Sequence, residues 1–394
     1  MGNFCSSSKD AAGDNGRKSR YAAAEPHADA EAAGASGNVR MNSDGSAPRV
    51  DVGYRQEPAL FADDCGATAL CAADDGSIVV GSEEGMLVRV DGSTGEILQQ
   101  WQGLHTRDIN KVMFNAATGM AFTCSRDKLV RAVAIGREAD RPLTFAGHDL
   151  VVTCVAPRHD GRHVVSGSRD NTFRLWDVEQ ETLIASQDRK LNVIHSCAWV
   201  EELGIVAQGG EDLAIRLWDF RASGKDCGGL SLSNSIENFD YHPVCMALLD
   251  DGVGTTLVTG HNGFNGTGAM VSTWDLRMRK PLDSMHGHEN TVRWVAPVKN
   301  STRASGPPSS QLFSASDDGT IREWDLSSHS LKSTYRVPEG RLTTVVELPG
   351  SHVGKTGRRR FAAATRAGTV FVAEHEPSHD ALLRSLHLGS AIAC

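Results

Sequence analysis

Short runs in which apolar and polar residues alternate recur along most of the chain. In "TFRLWDV" the apolar Phe173, Leu175 and Val178 largely alternate with polar neighbours, which is the period of a strand with one buried face. The preceding "SRDN" supplies a tight turn. Taken together as "VVSGSRDNTFRLWD", ending at Asp177, the stretch has clear copies in "VAQGGEDLAIRLWD" ending at Asp219 and "LFSASDDGTIREWD" ending at Asp325. A longer copy, "LVTGHNGFNGTGAMVSTWD", ends at Asp275, and degenerate ones end at Asp91, Ala134 and Glu374. Successive end points lie 42 to 56 residues apart, so the chain holds seven units of similar length. A repeat of this length and texture predicts four strands per unit, stacked so that neighbours bury each other's faces.

The expected fold is therefore all-β: seven four-stranded sheets arranged radially, which leaves only short, protected edges. Residues 58–394 carry it. Residues 1–57 hold few large apolar side chains and are rich in Ala, Gly, Ser and Asp, so they are expected to stay a disordered tail. One sheet must be completed by a strand from a chain end. Both "QEPALF", before the first unit, and "ALLRSLHL", near the C-terminus, could provide it.

Polar corners precede three of the units, in "GLHTRDIN", "GHDLVVT" and "GHENTVRW". With these corners the region resembles the WD-repeat family, in which His, Ser or Thr, Asp and Trp form a hydrogen-bonded tetrad. Carried onto this sequence, the resemblance implies tetrads of His148, Ser166, Asp170 and Trp176 in blade three, and of His288, Ser314, Asp318 and Trp324 in blade six. Blade two keeps His105, Thr123 and Asp127 but has Val133 in the Trp position. The other blades hold only fragments of the pattern and are expected to rely on apolar packing. A His–Ser–Asp trio also occurs in hydrolases. Its recurrence at packing positions in several blades points to structure, and no enzymatic activity is expected.

Bulk properties narrow the function classes. A net charge of −9 over 394 residues argues against a general nucleic-acid binder. No apolar run approaches a membrane span, and the opening residues lack the apolar core of a secretory signal. Nine cysteines are present without a C-x-x-C pair, several within apolar runs, and they read as buried thiols. No cofactor or metal is expected. His286 and His288 in "HGHE" fall short of a ligand set, and His288 belongs to a tetrad. "PGSHVGKTGRRR" lacks the first glycine of a phosphate loop, having Pro349 there, and precedes a strand rather than a helix. Its Lys355 and Arg358–Arg360 read as a solvated basic loop. The glycine-rich insert of the fifth unit suits an extended hairpin tip.

The first residues, "MGNFCSSSKD", fit the myristoylation pattern Met-Gly-x-x-x-Ser, with Gly2 as acceptor. A single myristoyl chain binds membranes marginally, and Cys5 is placed to carry a palmitoyl chain as the second signal. Lys9, Arg17, Lys18 and Arg20 add attraction to anionic lipid. The expected partners are proteins, bound through the propeller faces and loops, and a membrane surface, bound through the acylated N-terminus. Nucleic acid is not expected, and outside its complexes the chain should be monomeric. Within the WD-repeat family, "SGSRDNTFRLWDV", "EDLAIRLWDFR" and "NGFNGTGAMVSTWDLR" resemble a branch of cilium-associated scaffolds. That resemblance implies a scaffold supporting ciliary protein trafficking, and with the acylated N-terminus the expected location is the cytoplasmic face of a membrane, at the cilium, the flagellum or its base. "WDFR" and "WDLR", with Arg221 in the better copy, also resemble the endings of substrate receptors of cullin ubiquitin ligases, which is the alternative reading.

Overall fold

Each of the seven units closes into an antiparallel four-stranded sheet, giving blades that span residues 67–101, 109–145, 152–188, 194–236, 243–285, 292–336 and 342–384. The structure is a computed structural model. It describes residues 49–51, 65–137, 141–188, 192–221, 228–237, 239–249, 255–298, 311–337, 340–349, 359–376 and 379–384. In six blades the residue that ends the sequence unit also ends the third strand, as in Thr172–Asp177, and in the seventh Glu374 lies within Val370–Glu376. The all-β, seven-bladed propeller is thus the observed fold.

The first strand of each blade contacts the first strands of both neighbours, and blade one contacts blade seven in the same way, so these strands ring a central channel. Side chains tie the ring across blades. Asn110 donates to the Val152 carbonyl at 2.7 Å, and the Thr153 hydroxyl bonds the Gly167 carbonyl of its own blade and the Ile194 carbonyl of the next. At the junction of the last and first blades, Thr343 donates to the Ala67 carbonyl at 3.4 Å.

The apolar core is divided among the blade–blade interfaces. Phe122, Val130 and Phe145 of blade two pack with Val155, Val164 and Trp176 of blade three, and equivalent clusters fill each of the other interfaces. Both faces of a blade are therefore buried, which is why central positions such as Val164 and Val165 are apolar in succession rather than alternating. Close approach between blades sets one second-strand position as glycine in blades one, three, four and five. A Cβ added to Gly167 would lie 2.3 Å from Ile194 Cγ2, and the corresponding residues are Gly81, Cys124, Gly209, Gly260, Ala315 and Ala364.

Blade seven takes its outer strand, His379–Arg384, from the C-terminal segment, pairing Leu382 with Glu374 and Leu383 with Ala373. "QEPALF" lies outside the described residues. Ahead of the propeller, Arg49–Asp51 pairs in parallel with the outer strand of blade six, Ser330–Arg336, setting Arg49 opposite Thr334. These three residues fall within the stretch read as a tail. The outer strand of a blade offers unpaired backbone groups along its edge, and an extended segment can take them up. The remainder of that stretch, with Gly2 and Cys5, lies outside the described residues.

Candidate functional site

The polar groups of blade three form a closed chain of hydrogen bonds. His148 Nδ1 donates to Asp170 Oδ2 at 2.9 Å, and His148 Nε2 accepts from Ser166 Oγ at 2.8 Å. Ser166 Oγ in turn accepts from the Trp176 indole N–H at 2.8 Å. The second carboxylate oxygen of Asp170 takes the Thr172 amide at 2.8 Å and its hydroxyl at 2.6 Å. Burial alone would raise the Asp170 carboxyl, but the His148 and Thr172 bonds outweigh it and hold the group well below the usual carboxylate range. Blade six repeats the chain, with His288 bonded to Asp318 at 2.9 Å and to Ser314 at 2.7 Å, and Trp324 donating to Ser314 at 2.8 Å. His288 is shifted down by its burial, against the pull of Asp318. In blade two His105 bonds Asp127 at 2.9 Å and Thr123 at 2.8 Å, while Val133 joins the apolar cluster facing blade one.

Two further blades carry substitutes that the sequence reading treated as fragments. In blade five Trp274 donates to Thr259 Oγ1 at 2.8 Å, and the imidazole on that hydroxyl is His261, at 2.9 Å, from the same strand. The Tyr241 carbonyl accepts from His261 Nδ1 at 2.9 Å and takes the place of the Asp. In blade four Trp218 donates to Gln208 Oε1 at 2.6 Å. The visible signal was the pairing of a second-strand polar residue with a third-strand Trp. What hid it was the insert after His261, because a histidine was sought only in the corner before the first strand.

Arg221 follows the third strand of blade four, Ile215–Asp219. Its guanidinium is half-exposed and folds back onto Asp219 at 2.9 Å, where its hydrogen bond keeps that carboxyl below its ordinary range. The thiols of Cys65, Cys71, Cys124, Cys154, Cys197 and Cys245 are free and buried, and burial pushes those of Cys71 and Cys245 up to about 12. Such thiols are poor nucleophiles near neutral pH. His286 is exposed, and among the described residues no three His, Cys, Asp or Glu side chains gather into a metal-ligand set. The insert of blade five is anchored to blade six: the Gly266 amide donates to the Glu289 carbonyl at 2.7 Å, and Thr291 Oγ1 donates to the Gly263 carbonyl at 3.2 Å. Phe264 at its tip is 72% exposed and faces solvent. Residues 350–358, with Lys355 and Arg358, lie outside the described residues.

One mouth of the central channel opens into a cavity of about 570 Å³ lined by first-strand residues and by the turns between second and third strands. His195 on its wall stacks on His242, with ring centroids 5.1 Å apart, and burial lowers the basicity of both.

The two complete tetrads coincide with a family match. The family model described as WD domain, G-beta repeat, matches residues 140–177 and 279–325. Each match runs from the outer strand of one blade through the third strand of the next, so the sequence repeat is offset by one strand from the structural blade. Two of the seven units thus match the WD-repeat model. Nuclear distribution protein nudF of Emericella nidulans is 28% identical over 294 residues, which is 70% of this chain and 60% of that protein. Eukaryotic translation initiation factor 3 subunit I of Nematostella vectensis is 25% identical over 274 residues, 67% of this chain and 77% of that one. The matched region thus spans less than two thirds of the nudF protein.

Proposed function

We propose that this WD-repeat propeller is a non-catalytic scaffold that gathers protein partners through its faces and loops, held at the cytoplasmic face of a membrane by acylation at Gly2 and Cys5. The observation that carries the non-catalytic reading is the saturation of each His–Ser–Asp trio. Ser166 Oγ already gives its proton to His148 and accepts from Trp176. A serine nucleophile needs its oxygen open to a substrate carbonyl, and burial of Ser166 and Ser314 denies that access. A rigid ring with loops at both ends offers binding surface in place of a reaction centre. The relative named as subunit I of an initiation factor is by its name part of a larger assembly, in keeping with this reading.

The membrane part of the proposal rests on the sequence pattern at Gly2, Cys5 and the nearby basic residues. The cellular setting rests on likeness: "VSTWDLR" with the preceding insert, and "GHENTV" after it, resemble WD repeat-containing protein 31, which implies a scaffold for ciliary trafficking at the cilium or its base. Imaging a C-terminally tagged chain in a ciliated cell beside Gly2→Ala and Cys5→Ser tests both parts. Membrane residence should be lost in Gly2→Ala and weakened in Cys5→Ser. Unchanged residence in both variants overturns the anchor, and absence of the wild-type chain from cilium and basal body overturns the setting.

The exposure of the Arg221 guanidinium keeps a second reading in view, a substrate receptor of a cullin ubiquitin ligase. Loss of a co-purifying ligase adaptor on Arg221→Ala, with localisation untouched by Gly2→Ala, would favour it over the scaffold.

A further inference from the structure

The chain as a whole is acidic, yet the channel mouth carries a surplus of positive charge. Its wall holds six cationic side chains against three carboxylates. Arg293 pairs with Asp317 at 2.6 Å, Arg126 with Asp108 at 3.8 Å, and Arg366 with Glu83 at 3.9 Å. Lys111, Arg169 and Arg341 remain, and among the described residues none of the three has a carboxylate partner.

Lys111 is the unusual member. It stands on the first strand of blade two, is 7% exposed, and its Nζ lies 4.7 Å from the ring centroid of Trp294 on blade six. An indole face attracts a cation but does not neutralise it, and a buried ammonium without a counter-charge is costly. Arg169, in the turn after the second strand of blade three, and Arg341, just before the first strand of blade seven, reach the same cavity from other sides and are exposed. Four neutral donors of the wall are tied up within the ring. The Thr68, Thr153 and Thr343 hydroxyls and the Asn110 amide are used in bonds to backbone carbonyls around the ring.

We propose that this channel mouth is a binding site for a compact, multiply charged phosphate-bearing molecule, seated on Lys111 and clamped by Arg169 and Arg341. Three cations on three blades suit anionic groups spread around a small ring, and guanidinium forks match phosphate oxygens in pairs. A cavity of about 570 Å³ is the size of a small-molecule site. The same chemistry could arrive as a soluble inositol polyphosphate or as the headgroup of a phosphoinositide. The site does not depend on the lipid anchor proposed above.

Titration calorimetry of the full-length chain with inositol hexakisphosphate is expected to show one saturable site per molecule. Both Lys111→Met and the paired Arg169→Gln/Arg341→Gln should weaken it about tenfold or more, the loss of one or two charge-assisted hydrogen bonds. The arginine pair is exposed, so it decides the matter if Lys111→Met fails to fold. Vesicles of phosphatidylcholine with phosphatidylinositol bisphosphate, titrated with Gly2→Ala protein, distinguish the two sources. Vesicle binding that requires Arg169 and Arg341 marks the headgroup, and binding of the soluble probe alone marks the free polyphosphate. No saturable binding of either probe, an affinity unchanged in the arginine pair, or binding of a phosphorylated peptide in their stead overturns the proposal.

Discussion

His261 hydrogen-bonds Thr259, two residues earlier on the same strand, through Nε2 at 2.9 Å, and so does in blade five what a corner histidine does in blades two, three and six. The Nδ1–H donated to the Tyr241 carbonyl fixes the neutral tautomer that accepts from Thr259. Burial lowers the His261 pKa to about 4, from an ordinary value near 6.5.

A pH dependence with a definite sign follows from that shift. In the unfolded chain His261 binds a proton below about pH 6.5, whereas in the fold it resists protonation until about pH 4. Its contribution is therefore whole above pH 6.5 and is lost as pH falls from there towards 4, up to about 3 kcal/mol in all. Urea denaturation between pH 7.5 and 4.5 should show a steeper loss of stability for the wild-type chain than for His261→Asn. The Asp170 and Asp318 carboxyls, held low in the fold, lose their contributions only below the ordinary carboxylate range. Equal slopes in the two proteins would show that His261 is not the group titrating.

In blade three the serine hydroxyl is the hinge of the hydrogen-bond chain. Ser166→Ala leaves both the Trp176 N–H and His148 Nε2 buried without a partner, and should cost about 2–4 kcal/mol. Trp176→Phe removes the indole donor, so Ser166→Ala is expected to cost less in that background. A double-mutant cycle read from denaturation midpoints measures the difference. Strict additivity would mean that the indole and the hydroxyl do not interact.

The glycine at this second-strand position in blades one, three, four and five is a matter of space between blades. At Gly167 any side chain meets Ile194 Cγ2 within 2.3 Å, so Gly167→Val should destabilise by at least about 2 kcal/mol. Trimming the obstacle, as Ile194→Ala, should recover part of the loss in the double variant even though each change alone destabilises. The comparison of melting temperatures across the four proteins decides it. Failure of Ile194→Ala to relieve Gly167→Val would place the strain elsewhere.

How much of this was legible in the sequence depended on whether the cause was local. The number of blades, their order and the end of nearly every third strand followed from alternation and turn residues within single units, because a strand's buried face is written into its own period. The His148 and His288 chains were legible for a related reason: four residue types at fixed offsets recur, and the blade geometry that joins them is the same each time. Where a substitute came from an unexpected direction, as with His261 and Tyr241, spacing gave no guide, since the bonds link a strand to the loop ahead of its neighbour.

Other features belong to the closed ring alone. Which terminus completes blade seven is a competition between two segments of similar pattern, and only the finished sheet shows His379–Arg384 in the outer place. The parallel pairing of Arg49–Asp51 with blade six depends on an edge that exists only after that blade has formed. Lys111 reads along the chain as one polar residue in a strand. Its approach to Trp294, with no carboxylate beside it among the described residues, appears only when blades two and six face each other across a channel. Period and turn chemistry act over a few residues and are carried by the sequence itself. Charge balance, edge pairing and contact across the channel act between segments far apart in the chain, and the tertiary fold alone brings those segments together.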